Sequence, residues 1–263
     1  MSAAWIAEET ATAKFEDKRL NDRFAAILTA FGDRPNASIP AALNGRSELE
    51  ACYRFFDNDN VTPERILQCH YDATRKRCES QKVVLCAQDT TELDFTRPKQ
   101  QVVGAGPLNV PSRRGAYLHL NEAFTENGTP LGAIDSKMWT REDVDEAQPK
   151  PTAKEKRKER KALPMEEKES YRWLEGVRAT QELAKQCPET LCVSLGDSES
   201  DIYELFAEER TAENFHFIIR ACHDRVVTDE SGNGHVPTQN PLARRKTSCG
   251  IPTNESAMEN QSA

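Results

Sequence analysis

The sequence predicts an α/β protein in which an all-α stretch precedes a mixed β-sheet core. Three observations carry that expectation. Leu20, Phe24, Ile27 and Phe31 recur at helical spacing, two short runs at 83–87 and 191–196 are almost continuously apolar, and residues 116–124 alternate before a Glu126-Asn127-Gly128 turn. The 263 residues suffice for one large domain or two smaller ones.

Taken in order, the Leu20 to Phe31 stripe makes one helix face, and Gly32 and Pro35 end it. Residues 38–44 and 48–56 suggest two more helices. Thr62-Pro63-Glu64 then supplies a hydroxyl cap, a proline at the first helical position and an acid in the first turn, starting a helix that runs to about Cys78. Residues 1–78 thus read as a helical domain. After Ser80 the period changes. Val83-Val84-Leu85-Cys86-Ala87 has the composition of a strand covered on both faces and stops at Gln88-Asp89-Thr90-Thr91, which puts Asp89 at a strand's C-terminal end. In 116–124, Ala116, Leu118, Leu120 and Phe124 share one face, and Tyr117, His119 and Asn121 the other; 130–139 returns as the hairpin partner. Residues 141–169 form a charged surface excursion. It includes Lys154-Glu155-Lys156-Arg157-Lys158-Glu159-Arg160-Lys161, which reads as a solvated mixed-charge helix or as a DNA contact. Residues 171–185 make an amphipathic helix with Trp173, Val177 and Ala184 near one side. A second buried-type strand, 191–196, ends in Asp197; 201–209 reads as helix with Ile202, Leu205 and Phe206 inward, and 215–220 as a last strand. The core is therefore expected over 79–225. Residues 226–263 contain no aromatic side chain and carry Pro237, Pro241 and Pro252, the composition of a disordered tail.

Composition excludes several classes. A mean hydropathy of -0.72, with no apolar window long enough to span a bilayer, argues against a membrane protein. The first ten residues lack the basic and apolar segments of a secretory leader, so the cytoplasm is the expected location. Eight cysteines are scattered without a CxxC pair, which points to reduced thiols, with Cys86 and Cys192 as small buried hydrophobes, and away from a structural zinc. The net charge of -8 is not that of a typical nucleic-acid-binding chain, and composition alone does not name DNA.

If the 83–87 and 191–196 strands lie parallel and adjacent, their C-terminal ends share one sheet edge and Asp89 and Asp197 converge there. Paired carboxylates suit Mg²⁺ or Mn²⁺, hard cations that can activate water against a phosphodiester. Either aspartate alone reads equally as a turn former or a helix N-cap. Asp197, Glu199, Asp201 and Glu208 match a calcium-loop spacing, but Ile202 stands where that loop needs glycine.

Gln88-Asp89-Thr90-Thr91, Gly196-Asp197-Ser198-Glu199-Ser200-Asp201-Ile202-Tyr203, Tyr53-Arg54-Phe55-Phe56-Asp57-Asn58 and Val61-Thr62-Pro63-Glu64 together resemble bacterial insertion-sequence transposases of the cut-and-paste, DDE type. The resemblance implies a ribonuclease H-like core in which Asp89 and Asp197 are catalytic metal ligands for Mg²⁺ (or Mn²⁺), with Thr90, Thr91, Glu199 and Asp201 supporting them. It also implies a third acid on a later helix, within a Tyr, Arg, Glu, Lys motif. No tyrosine follows Tyr203, so an incomplete, C-terminally truncated and inactive core is expected. The implied partner is double-stranded DNA at transposon ends, contacted by the helix bearing Arg19 and Arg23 and by the segment from Arg46 to Arg54; a full-length transposase is a second partner. Arg113, Arg114 and Arg220 are further DNA candidates by their position near the strands. Arginines paired with Asp17, Asp22 and Glu50 on a solvated surface are the alternative reading. Other roles compatible with the sequence are a non-catalytic regulator of transposition and the product of a decaying gene.

Overall fold

The computed structural model describes residues 4–97, 99–110, 112–143, 152, 154, 155, 158 and 162–223, and the backbone at 226–228 and 235–237. Five helices come first: α1 (Ala4–Glu9), α2 (Lys18–Asp33), α3 (Ile39–Ala42), α4 (Arg46–Phe56) and α5 (Pro63–Glu79). Both expected long helices start on side-chain caps. Asp17 accepts the Arg19 N–H, and Thr62 Oγ1 accepts the Arg65 N–H at 3.3 Å. The stripe of α2 buries Phe24 and Ile27 against Phe15 and Phe55; the three phenylalanine rings stand 5.4, 5.6 and 6.1 Å apart, centre to centre. Leu43, Cys52, Val61 and Cys69 complete this helical core.

The sheet follows: β1 (Val83–Asp94), β2 (Gly106–Pro107), β3 (Arg114–Thr125), β4 (Pro130–Trp139), β5 (Leu191–Gly196) and β6 (Phe215–Ile219). The strand order is β2-β3-β1-β5-β6, with β4 also on β3. β1 is antiparallel to β3 and parallel to β5, which is parallel to β6. The sheet is therefore mixed, as expected. Helix α6 (Tyr171–Gln186) lies across one face, burying Trp173, Leu174, Val177, Leu183 and Ala184. Gly176 lets it approach closely, because a Cβ there would collide with the Gln88 amide.

Helix α5 belongs to both cores: Cys69 lies in the helical cluster and Cys78 in the sheet cluster. Its His70 accepts the Ala133 N–H of β4 on Nε2 at 2.9 Å, which leaves Nδ1 to donate to Glu9 Oε2 of α1 at 2.7 Å. Arg77 Nε donates to Leu131 O at 2.6 Å, and its Nη2 meets Glu9 at 2.9 Å. Gly132 of β4 sits under this helix at φ +125°, where a side chain would strike Thr74.

The structure departs from these expectations, or goes beyond them, at four points. First, β1 does not end at Asp89 but runs on to Asp94, because its antiparallel ladder with β3 continues to Asp94↔Gly115 after the parallel ladder with β5 has stopped at Ala87↔Leu195. Second, the sequence left open which face of β3 is covered, and it is the polar one. His119 and Asn121 are 2% and 1% exposed beneath α6, where Asn121 Nδ2 donates to Gly176 O at 2.8 Å, while Leu118, Leu120 and Phe124 stay half-buried. Hydrogen bonds to the helix satisfy the buried amide nitrogen, which lets a polar face take the covered side. Third, 201–209 is not one helix. A 3₁₀ turn (Ser198–Ser200) and the short α7 (Tyr203–Ala207) are separated at Asp201-Ile202; Leu205 is buried, and Phe206 is exposed. Fourth, the stretch read as a disordered tail contains a small hairpin, β7 (Val226–Thr228) with β8 (His235–Pro237). Its other residues, and most of the 154–161 basic run, lie outside the described residues.

Candidate functional site

The β1/β5 ladder sets the geometry of the candidate site. Val83 pairs with Leu191 and Ala87 with Leu195; the same offset carried two residues further makes Asp197 level with Asp89. Asp89 lies opposite Leu120, on the sheet face that α6 does not cover. Both side chains are exposed. Each is fixed by a neighbouring backbone N–H on Oδ1: Thr90 N to Asp89 at 2.8 Å, and Glu199 N to Asp197 at 2.8 Å. Asp197 is thus also the N-cap of the 3₁₀ turn, and Ser200 Oγ closes the turn on its carbonyl at 2.6 Å.

The supporting residues divide. Thr91 is exposed and, two positions along β1, shares the face of Asp89. Thr90 points the other way, 2.8 Å from His119 Nδ1. His119 is a core histidine: its Nε2 lies 3.2 Å from the Gln88 amide, its ring packs edge-on to Trp173 at 4.7 Å, and burial, then the charges of Arg172 and Lys137, push its pKa down to about 4. Glu199 is held by Arg172 at 2.7 Å. Asp201, 2% exposed, accepts the backbone N–H groups of Cys222 and His223, each at 2.7 Å. Glu208, the last position of the calcium spacing, is bound instead to Arg178.

Arg172 was not legible in the sequence. It stands in the first turn of α6, packs over Trp139 and Trp173 at 5.6 and 5.5 Å, and donates to Thr90 Oγ1 at 2.9 Å, to Glu169 O at 2.6 Å and to Glu199 Oε2 at 2.7 Å. One guanidinium therefore ties the residue after Asp89 to the second residue after Asp197. It also lines a cavity of 610 Å³ with Trp173, Ser198, Glu199, Asp201 and His223; that cavity includes neither Asp89 nor Asp197.

The arginines singled out for DNA occupy three places. Arg19 and Arg23 share a face of α2, Arg19 paired with its cap Asp17 and Arg23 with Glu48 of α4, both exposed or partly so; Arg46 pairs with Glu50. Arg54 is exposed between Tyr53 and Phe56, themselves 49% and 47% exposed. The sequence alternative of acid-paired surface arginines is thus realised for Arg19 and Arg46 with the acids it named and for Arg23 with Glu48, but exposed pairs of this kind are weak. Arg113 and Arg114 are bound to Asp94 and Asp143 at the outer end of the β1–β3 ribbon, five residues beyond Asp89. That is roughly 17 Å from it and not at the carboxylate edge. Arg220 is exposed next to that edge, its N–H donating to Gly196 O at 3.0 Å.

Among the described residues no helix is long and apolar enough to cross a membrane. No curated protein matches the chain. Residues 2–61, which carry α1 to α4 and stop one position short of the Thr62 cap, match the family described as transposase DNA-binding. The N-terminal helices are therefore similar to transposase DNA-binding domains, which supports DNA as a partner of this chain and a role for it in transposition.

Proposed function

We propose that the chain binds transposon-end DNA through α2 to α4, and that its sheet is the ribonuclease H-like core of a DDE transposase of insertion-sequence origin, holding two of that family's three carboxylates. The observation that carries this reading is the parallel β1/β5 ladder from Val83↔Leu191 to Ala87↔Leu195, whose offset, extended past the last pair, brings Asp89 and the residue just after β5, Asp197, to the same level. The strand order, antiparallel on one side of β1 and parallel on the other, supports it.

The residues fit a hard divalent cation. Asp89 and Asp197 are exposed oxygen donors, the ligand type that Mg²⁺ and Mn²⁺ take. Once bound, such a cation activates water and stabilises the leaving oxygen of a phosphodiester. The chain's own part is positioning. Backbone N–H groups of Thr90 and Glu199 fix one oxygen of each carboxylate, and Arg172 holds those two segments together. Glu199 and Asp201, the acids next after Asp197, are engaged with Arg172 and with the chain after β6, so neither completes the ligand set in this arrangement. On this reading the chain occupies transposon ends without cutting them, which agrees with a regulatory role.

The test is a gel-shift and nicking assay on transposon-end duplex in Mg²⁺ and in Mn²⁺. Binding without cleavage is expected, along with weak Mn²⁺ binding that Asp89→Ala abolishes. Metal-dependent nicking that Asp89→Ala removes overturns the incomplete ligand set. Mn²⁺ binding indifferent to both Asp89→Ala and Asp197→Ala overturns the carboxylate assignment.

A further inference from the structure

A cluster of different chemistry lies at the same end of the sheet. β5 and β6 run parallel, so the chain leaving β6 passes beside the turn that follows β5. Asp201 in that turn is almost fully buried, and its Oδ2 receives the consecutive N–H groups of Cys222 and His223. Those two side chains are exposed. A carboxylate oxygen of Asp201, the sulfur of Cys222 and a ring nitrogen of His223 all lie within 4.8 Å of one another. We infer that Asp201, Cys222 and His223 form a binding site for a zinc-type divalent cation, distinct from the edge held by Asp89 and Asp197.

The ligand set decides the class of ion. Thiolate and imidazole select zinc-like cations, whereas Mg²⁺ takes oxygen. Zinc bonds of about 2.0–2.3 Å place tetrahedral ligand atoms roughly 3.3–3.8 Å apart, so closing the site from 4.8 Å needs a movement of about 1 Å. Asp201 is anchored by two N–H groups, so the movement falls on the Cys222 and His223 side chains. The 610 Å³ cavity, lined by Asp201, Ser198 and His223, opens onto the site and leaves room for a water as fourth ligand. Cys222 Sγ lies 3.2 Å from Ser198 O. Binding removes its S–H proton to solvent and makes the S–metal bond, so affinity rises with pH. The other described cysteines, Cys52, Cys69, Cys78, Cys86, Cys187 and Cys192, are buried, and burial pushes the Cys78 and Cys192 thiols up to about 12.

Co²⁺ titration of the full chain tests the site, because thiolate ligation gives a near-ultraviolet charge-transfer band that an all-oxygen site cannot give. One equivalent is expected to bind with that band. Cys222→Ser should abolish the band, His223→Ala should weaken binding by roughly tenfold or more, and both Cys249→Ser and Asp89→Ala should leave it intact. Circular dichroism of each variant confirms folding. Absence of the band in the wild-type chain, or its survival in Cys222→Ser, overturns the inference.

Discussion

At the scale of single residues, two side chains that make no claim on DNA set testable properties. His119 is buried neutral, with its pKa lowered to about 4 from an unfolded value of 6.5. Between those values the unfolded chain binds the extra proton and the folded chain does not, so stability is intact above pH 6.5 and falls as pH drops towards 4, by about 3 kcal/mol at most. Urea midpoints across that window should show the decline, and His119→Gln should remove it; an unchanged slope in the variant would contradict the buried neutral ring. Arg172 acts through Thr90 and Glu199. Arg172→Ala should weaken Mn²⁺ binding at the Asp89–Asp197 edge by roughly tenfold, with partial rescue by Arg172→Lys, while equal affinities in all three chains would reduce Arg172 to a packing role. Asp89 and Asp197 stand out in the sequence because each closely follows an apolar strand-like run. Arg172 was not, because only the fold brings the first turn of α6 against β1 and the turn after β5. The Asp201, Cys222 and His223 grouping was not legible for the same reason.

At the scale of elements, the long helices were legible, and the 201–209 segment and the strands only in part. Caps and stripes are local, and α2, α4 and α5 appear where the Leu20 to Phe31 stripe, the 48–56 segment and the Thr62 cap put them. Strand length depends on partners: β1 outruns its apolar half because β3 pairs the remainder. The DNA assignment also belongs to this scale, since Arg19 and Arg23 act as one face of α2 beside α4. Reversing both charges should weaken binding to transposon-end duplex and lower the salt slope by about one unit per lost phosphate contact. A titration from low to physiological salt with affinity and slope unaltered would remove α2 from the DNA face. Gly132, at φ +125° beneath α5, should tolerate no side chain: Gly132→Ala is expected to cost roughly 1–3 kcal/mol in chemical denaturation, against a few tenths for an exposed loop position.

For the whole molecule, the order of helical segment and mixed sheet followed from the change of period at Ser80, but how the two parts join did not. Nothing in the sequence of α5 announces that its Cys69 side packs with phenylalanines while its last turn packs with β-strands. A helix of 17 residues, about 25 Å long, shared in this way leaves no joint at which either part can melt alone. Calorimetry should therefore record one endotherm with equal van't Hoff and calorimetric enthalpies. Asp72→Pro, which breaks α5 midway, should split that single peak into two, so that a molecule built from two cores surrenders to heat as one body only while this helix is whole.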